Sequence, residues 1–160
     1  MADLKKLGPI YFGANFCWDL IAGTSSPKPN KRGCMQVVGL LIQIEGIQSA
    51  IMAVYRSPHF EERRFYATVL DIICEAKKFH LKNLVVVGDF NTDYADNSKK
   101  QENLYNFMMS QNLELTSPKN LATTDKQSML DLCFSIKSIP SCTILESIIS
   151  DHKAVFFSIN

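Results

Sequence analysis

The chain has 160 residues, which fits one domain, and 46% hydrophobic and 10% aromatic residues supply enough apolar side chain for a continuous core. This composition excludes a mainly disordered chain. Seventeen Lys and Arg against sixteen Asp and Glu give a formal net charge of +1, so any surface for a polyanion must be local.

The first 33 residues show no clean hydrophobic period, and residues 24–33 have the composition of a loop. We predict an irregular or divergent segment over residues 1–33 and a folded domain over residues 34–160. Within that domain, two β-rich runs at residues 35–44 and 48–55 predict a hairpin.

Two helices are predicted in the middle of the chain. Ser57 followed by Pro58 is typical of an N-cap and a first helical residue, and apolar positions then recur at helical spacing. Ser98 and Gln101 have the pattern of a capping box, which predicts a second, shorter helix that ends near Asn112.

The remaining apolar runs predict strands at residues 84–87, 113–116, 129–135, 143–145 and 154–159. The resulting element order, β-β-α-β-α-β-β-β-β, predicts an α/β fold in which two sheets form a sandwich flanked by helices.

The five cysteines are odd in number and lack C-x-x-C spacing, which predicts free thiols rather than a disulfide framework or a zinc site. Pro9 and Gly13 interrupt the first apolar stretch too early for a secretory signal. No window approaches the roughly 20 apolar residues of a membrane span. We therefore expect an intracellular protein, nuclear or cytoplasmic, with no membrane partner.

Polar side chains stand beside several of the predicted strands. Asp89 and Asn91 follow the apolar run 84–87, Asp131 lies within the run 129–135, and Asp151 and His152 precede the last strand. Carboxylates, an amide and an imidazole are the groups that phosphodiester hydrolysis needs to activate water and to stabilise a charged phosphorane. They predict one metal-assisted phosphodiester-cleaving site.

Each of these pieces also has a plainer interpretation. Asp89 and Asn91 are common turn formers, Asp131 could pair with a buried basic group, and residues 150–152 could be a loop or a helix start.

Four motifs in one order resemble the endonuclease/exonuclease/phosphatase superfamily, typified by pancreatic deoxyribonuclease and apurinic/apyrimidinic endonucleases. The motifs are Tyr55-Arg56-Ser57-Pro58, Gly88-Asp89-Phe90-Asn91-x-Asp93, Ser128-x-Leu130-Asp131-Leu132-x-Phe134 and Ser150-Asp151-His152. They look most like the endonuclease domains of non-LTR retrotransposons, over about residues 33–160. The resemblance implies the deoxyribonuclease-like four-layer fold.

The resemblance also implies catalytic roles. Asp89 and Asn91 match residues that act at the attacking water and the scissile phosphate. Asp131 matches the acid that orients the histidine matching His152, and Asp151 matches a ligand of a divalent metal, Mg²⁺ or Mn²⁺. Which group is the general base stays open.

The resemblance also implies contacts to the phosphate and to DNA, made by a second set of residues that overlaps the catalytic set. Tyr55 would contact the phosphate or its sugar, and Arg56 would either add charge nearby or be structural. Asn91, Ser150 and His152 complete this set.

The chain departs from the family at its start, where members normally have a strand bearing an Asn and a second strand bearing a metal-binding Glu. Neither is found, because Asn15 lies only 40 residues before Tyr55 and the earlier acids are Asp3, Asp19 and Glu45. We expect an N-terminally truncated domain that lacks the first strands of one sheet, with an unpaired strand edge and weakened metal binding.

The expected function is Mg²⁺-dependent nicking of double-stranded DNA by a monomer of retrotransposon type, with a reverse transcriptase as a further part of the polyprotein. An inactive remnant or a nucleic-acid binding module is the alternative. A phosphatase or phosphodiesterase acting on a small or lipid substrate is a third reading, which the retrotransposon-like motif contexts disfavour.

Overall fold

The computed structural model describes residues 4–12, 15–22, 33–44, 47–118, 121–136, 142–147 and 150–158, with the backbone alone for residues 4–22 and 44. The chain divides into two compact units, Met1–Leu84 and Val85–Asn160.

The first unit contains four consecutive antiparallel strands. These are β1 (Leu4–Phe12), β2 (Asn15–Ala22), β3 (Met35–Ile44) and β4 (Ile47–Arg56). Each strand pairs with the next, so the predicted hairpin of residues 35–55 is present as β3 and β4.

One face of β3 and β4 is buried and the other is exposed, because side chains alternate along a strand. Met35, Met52 and Val54 are at most 3% exposed, whereas Val38 and Tyr55 are 44% and 40% exposed. Helix α1 (Glu62–Lys77) buries one face of its own, with these residues: Phe65, Val69, Ile72, Ile73 and Ala76.

Helix α1 begins at Glu62, four residues after the predicted start at Pro58. The predicted cap at Ser57 is wrong because Ser57 belongs to a turn, in which Phe60 N donates to Ser57 O at 3.0 Å. The Ser57 hydroxyl accepts instead from Cys34 N at 2.8 Å, so it joins the start of β3 to the end of β4.

Strands β1 and β2 were missed by the sequence patterns, which predicted an irregular segment there. The pairing of β1 with β2 shifts register between Leu7 and Ile10, around Pro9, which has no N–H to donate. This irregularity hides the period of two. Since β2 pairs with β3 from Phe16 and Leu41 to Ala22 and Met35, the edge of β3 is covered. The domain border at residue 33 stays a prediction.

Strand β5 (Asn83–Asp89) begins in the first unit and continues into the second. In the second unit it pairs antiparallel with β7 (Asp131–Ser135), which also pairs with the short β6 (Glu114–Leu115). Strands β8 (Cys142–Leu145) and β9 (Ala154–Phe157) form a separate antiparallel pair.

Helix α2 (Lys99–Ser110) lies between β5 and β6 in the chain. The Ser98 side chain caps it by accepting from Gln101 N at 3.3 Å, as predicted. The side chain of Gln101 hydrogen-bonds Tyr94. The core of this unit contains Phe90, Leu104, Met108, Met129, Leu132 and Phe134, all at most 1% exposed.

The α/β class predicted from the element order is confirmed. Within the described ranges, neither helix combines the length and the apolar character needed to cross a membrane.

Candidate active site

The ends of β5 and β7 bring Asp89 and Asp131 opposite each other. Asp89 is the last residue of β5 and is the register partner of Asp131, the first residue of β7. The chain leaves β5 through Gly88 at φ 140° and Asn91 at φ 45°. Positive φ is available to glycine at little cost and is better tolerated by asparagine than by most residues. The residue types therefore suit this turn.

Asp89 holds Asn91 through both carboxylate oxygens. Asn91 N donates to Asp89 Oδ1 at 2.8 Å, and Asn91 Nδ2 donates to Asp89 Oδ2 at 3.2 Å. Both side chains are partly buried. The acid and the amide thus form one hydrogen-bonded unit at the strand end.

His152 contacts Asp131 directly. Its Nδ1–H donates to Asp131 Oδ2 at 2.8 Å, with the side chains 33% and 14% exposed. This bond assigns the proton to Nδ1 in the neutral ring and leaves Nε2 as the second functional nitrogen. The predicted Asp131–His152 contact is therefore present in the structure.

The charged groups around this contact shift the pKa values of Asp89 and His152. Burial raises the pKa of Asp89, and the charge of Asp131 raises it further, although the Asn91 hydrogen bond and His152 act in the opposite direction. Burial lowers the pKa of His152, but the hydrogen bond and charge of Asp131, with Asp89 and Asp151, outweigh burial and leave it raised. A raised carboxyl pKa beside a raised imidazole pKa is typical of acid–base sites.

Asp151 and Ser150 stand on the same segment as His152. Both are exposed, and the Ser150 hydroxyl accepts from His152 N at 3.0 Å. The Asp151 carbonyl accepts from Asp125 N at 3.0 Å, and the charge of its carboxylate raises the pKa of His152.

Tyr55 and Arg56 belong to the first unit, at the end of β4, whereas the other predicted site residues belong to the second. Arg56 is only 5% exposed. Its Nη2 donates to Phe60 O at 3.2 Å, and its guanidinium lies 5.0 Å from the centroid of the Phe65 ring. Burial lowers the pKa of Arg56, while Tyr66 and Glu62 raise it. These contacts favour the structural alternative for Arg56.

Asp93 contributes to the geometry of the site, although the sequence patterns assigned it no role. Its Oδ1 accepts from Met129 N at 3.0 Å and from Ala95 N at 3.1 Å. It thereby ties the loop after β5 to the segment that leads into Asp131. Its place in the motif Gly88-Asp89-Phe90-Asn91-x-Asp93 was a signal for it.

The same residues can be compared with the ligand set that a divalent metal ion requires. Among the described residues, no group of three or more His, Cys, Asp or Glu side chains is placed to hold one. Both oxygens of Asp89 and Oδ2 of Asp131 already accept hydrogen bonds. Carboxylate oxygens are the ligands that Mg²⁺ prefers, but this described set does not by itself fit a tightly held ion.

The fold and this site define the class of protein. A family model described as endonuclease-reverse transcriptase matches residues 49–156, which is more than half of the chain. The chain belongs to this family, within the endonuclease/exonuclease/phosphatase superfamily. No protein of curated function matches the sequence.

Solved structures share the fold at low sequence identity. The endonuclease domain of TRAS1, a telomere-specific non-LTR retrotransposon, is 17% identical with a TM-score of 0.65, over 74% of this chain and 61% of that one. A family protein from Leptotrichia buccalis is 20% identical with a TM-score of 0.54, over 78% and 54%. A mannosyl-6-phosphatase from Bacteroides thetaiotaomicron is 11% identical with a TM-score of 0.53, over 96% and 67%.

These likenesses establish the deoxyribonuclease-like fold that the motifs implied. The chain spans 61% and 54% of the first two structures, less than two thirds of either. A fold shared by an endonuclease and a sugar phosphatase does not decide the substrate.

Proposed function

We propose that the chain is a phosphodiester hydrolase that nicks double-stranded DNA in the manner of a retrotransposon endonuclease. The observation that carries the proposal is the 2.8 Å contact between Asp131 and His152, beside the hydrogen-bonded pair of Asp89 and Asn91. The likeness to the TRAS1 endonuclease domain supports DNA as the substrate.

His152 supplies the positive charge in this proposal. Its raised pKa keeps the ring protonated, with protons on both nitrogens, to higher pH than an unperturbed imidazole. With Nδ1–H bound to Asp131, Nε2–H is the donor for a phosphoryl oxygen. Such a donor stabilises the charge that develops in the transition state.

Asp89 and Asn91 act on the water in this proposal. A carboxylate whose pKa is raised by burial is a stronger base than one in solvent, so Asp89 takes a proton from the attacking water. The water oxygen bonds to phosphorus as the bond between phosphorus and the 3′ oxygen breaks, and the leaving 3′ oxygen takes a proton from solvent water to become a 3′-hydroxyl. Asn91 orients the water and the phosphate beside it.

The proposed cofactor is Mg²⁺ or Mn²⁺, with Asp151 as a ligand, and membership of the superfamily supports it. Asp151 would supply one carboxylate ligand, and a bound divalent cation would offset negative charge on the phosphate. Tyr55 and Ser150 are proposed as phosphate or DNA contacts, since both are exposed. The proposed molecule is an intracellular monomer, joined in its polyprotein to a reverse transcriptase.

A nicking assay on supercoiled plasmid tests this function. Asp89→Ala combined with His152→Ala should lower the rate of relaxed-circle formation by about 100-fold or more, because it removes both sets of electrostatic groups. Asp96→Asn, a change at an exposed loop carboxylate, is the matched control and should keep the wild-type rate. Equal rates for the wild type and the double variant would contradict the proposal.

A nucleic-acid binding module without catalysis is the second candidate. It is favoured by the absence of a three-ligand metal cluster among the described residues. It predicts salt-dependent DNA binding with no relaxed circles at any Mg²⁺ or Mn²⁺ concentration.

Turnover of a phosphomonoester or of a lipid phosphate in preference to DNA would instead support a phosphatase or phosphodiesterase acting on a small or lipid substrate.

A further inference from the structure

Thr123 is a fully buried side chain beside the candidate site, 0% exposed. Its Oγ1 accepts from two consecutive backbone groups, Leu130 N at 2.9 Å and Asp131 N at 3.0 Å. A hydroxyl oxygen has two acceptor lone pairs, so both are used here. The hydroxyl thus holds the backbone of the residue whose carboxylate binds His152.

In the segment that leads into Asp131, side chains accept from the N–H groups, while the carbonyls of Met129 and Leu130 accept from Tyr94 N and Phe90 N. Three consecutive N–H groups, those of Met129, Leu130 and Asp131, donate to Asp93 Oδ1 or Thr123 Oγ1. In a regular antiparallel strand, such groups donate to carbonyls of a neighbouring strand. The position of Asp131 therefore depends in part on two side chains from other parts of the chain, beside the pairing of β7 with β5.

The backbone of Thr123 holds the other partner of the contact. Thr123 O accepts from Lys153 N at 2.8 Å, directly after His152 in the chain. The next residue, Thr124, forms an isolated antiparallel β-bridge with His152. Thr123 is thus bonded to the backbone on both sides of the Asp131–His152 contact, through its hydroxyl on one side and its carbonyl on the other.

We propose that Thr123 is a positioning residue that sets the distance between Asp131 and His152. The inference rests on the proposed function for its catalytic meaning. Loss of the hydroxyl would leave two partly buried N–H groups without this acceptor, so the start of β7 would shift to satisfy them with water or other groups. The 2.8 Å bond to His152 is short and would not survive such a shift.

NMR of the full chain with Thr123→Val, Thr123→Ser and Thr116→Val tests the proposal. Valine keeps the size of threonine without its hydroxyl, and serine restores the hydroxyl. Thr116→Val is the matched control because Thr116 Oγ1 donates at 2.9 Å to Cys133 O on the same strand, which Thr116 N also binds at 2.8 Å.

The first measurement is the hydrogen exchange of the Leu130 and Asp131 amides and of His152 Nδ1–H, assigned by its loss in His152→Gln. Thr123→Val should accelerate exchange at all three groups, whereas Thr123→Ser and Thr116→Val should keep wild-type protection. A folded Thr123→Val protein with unchanged Nδ1–H protection would overturn the proposal.

A second pair of variants and a kinetic measurement extend the test. If Thr123→Val does not fold, Thr123→Ser is compared with Thr123→Ala, which differs from it by the hydroxyl, and equal Nδ1–H protection in the two would overturn the proposal. In the nicking assay, Thr123→Val should lower kcat about 10-fold or more with little change in KM. A wild type that does not nick DNA contradicts the proposed function but leaves the exchange measurement intact.

Discussion

His152 and Asp131 form the contact on which the proposed chemistry depends. The contact joins residues 21 positions apart and leaves both side chains partly exposed. The pKa of His152 stays raised although burial lowers it, so its value reflects the neighbouring carboxylates. The ring is therefore sensitive to changes in those acids.

Asp131→Asn should move the high-pH limb of the nicking rate to lower pH. Removal of the carboxylate charge lowers the pKa of His152, and the proposed active form is the protonated ring, which is then lost at lower pH as the pH rises. The measurement is the single-turnover nicking rate across neutral pH, with Asp96→Asn as control. If Asp131→Asn slows nicking but leaves the high-pH limb of the rate at the same pH, that limb reports a group other than His152.

Asp89→Asn should stabilise the fold at neutral pH while it abolishes nicking. Burial and Asp131 raise the folded-state pKa of Asp89 above its ordinary value, so the folded chain binds this proton more tightly than the unfolded chain does. Stability from this group is complete below the unfolded pKa and is lost as the pH rises through the folded one.

The ionised Asp89 therefore disfavours the fold at neutral pH, and a neutral amide removes that penalty. Thermal melting at pH 7 and again below the ordinary pKa of an aspartate carboxyl, about 4, measures the effect, which should be present at the first pH and absent at the second. A lower melting temperature for Asp89→Asn at neutral pH would show that the Asn91 hydrogen bonds outweigh the cost of burial.

At the scale of elements, the turn between β4 and α1 shows how local signals are overridden. Ser57 and Pro58 have the sequence of a helix start, but the Ser57 hydroxyl binds Cys34 N, and Glu61 takes the N-cap position. Gly33 lies close against this turn, where only glycine fits, because a Cβ on Gly33 would overlap Phe60 N and Ser57 Oγ.

Gly33→Ala should destabilise the chain by about 1–3 kcal/mol, because the added methyl group forces the turn away from the start of β3. Urea unfolding measures the change. Cys34→Ala, at the next and exposed position, is the control and should change stability little, since only the Cys34 backbone binds Ser57. Equal stability of Gly33→Ala and wild type would mean that the turn yields without cost.

For the whole molecule, charge and metal binding set the limits of the proposed activity. A net charge of +1 supplies no general attraction to DNA, so recognition must come from local groups. The described carboxylates offer oxygen ligands without a three-ligand cluster. A metal ion would then be held mainly by water and by single carboxylates.

Mg²⁺ should therefore stabilise the chain only weakly. We expect no saturation of the thermal shift at micromolar Mg²⁺; a ligand at a concentration equal to its Kd adds only about 0.4 kcal/mol. Differential scanning fluorimetry over a Mg²⁺ series, with Asp151→Asn beside the wild type, measures this. Saturable stabilisation at micromolar Mg²⁺ would contradict the expectation and show a complete site.

Much of the fold was predictable because strand and helix patterns depend on neighbouring residues. The hairpin of residues 35–55, the buried strand that ends at Asp89, and the cap at Ser98 follow from alternation, apolar runs and turn residues. Strands β1 and β2 did not follow, because a register shift around Pro9 breaks the alternation on which such a prediction depends. The border predicted at residue 33 stays a prediction.

The sequence by itself determined the α/β class, the superfamily and the identity of Asp89, Asn91, Asp131 and His152 as candidates, because residue type and order along the chain carry that information. The tertiary structure supplied the geometry of the Asp131–His152 contact that the resemblance implied, and it alone decided that Arg56 is buried against Phe65 and that Thr123 holds the backbone on both sides of the pair. These contacts join segments distant in sequence, and packing rather than local pattern sets which side chains meet.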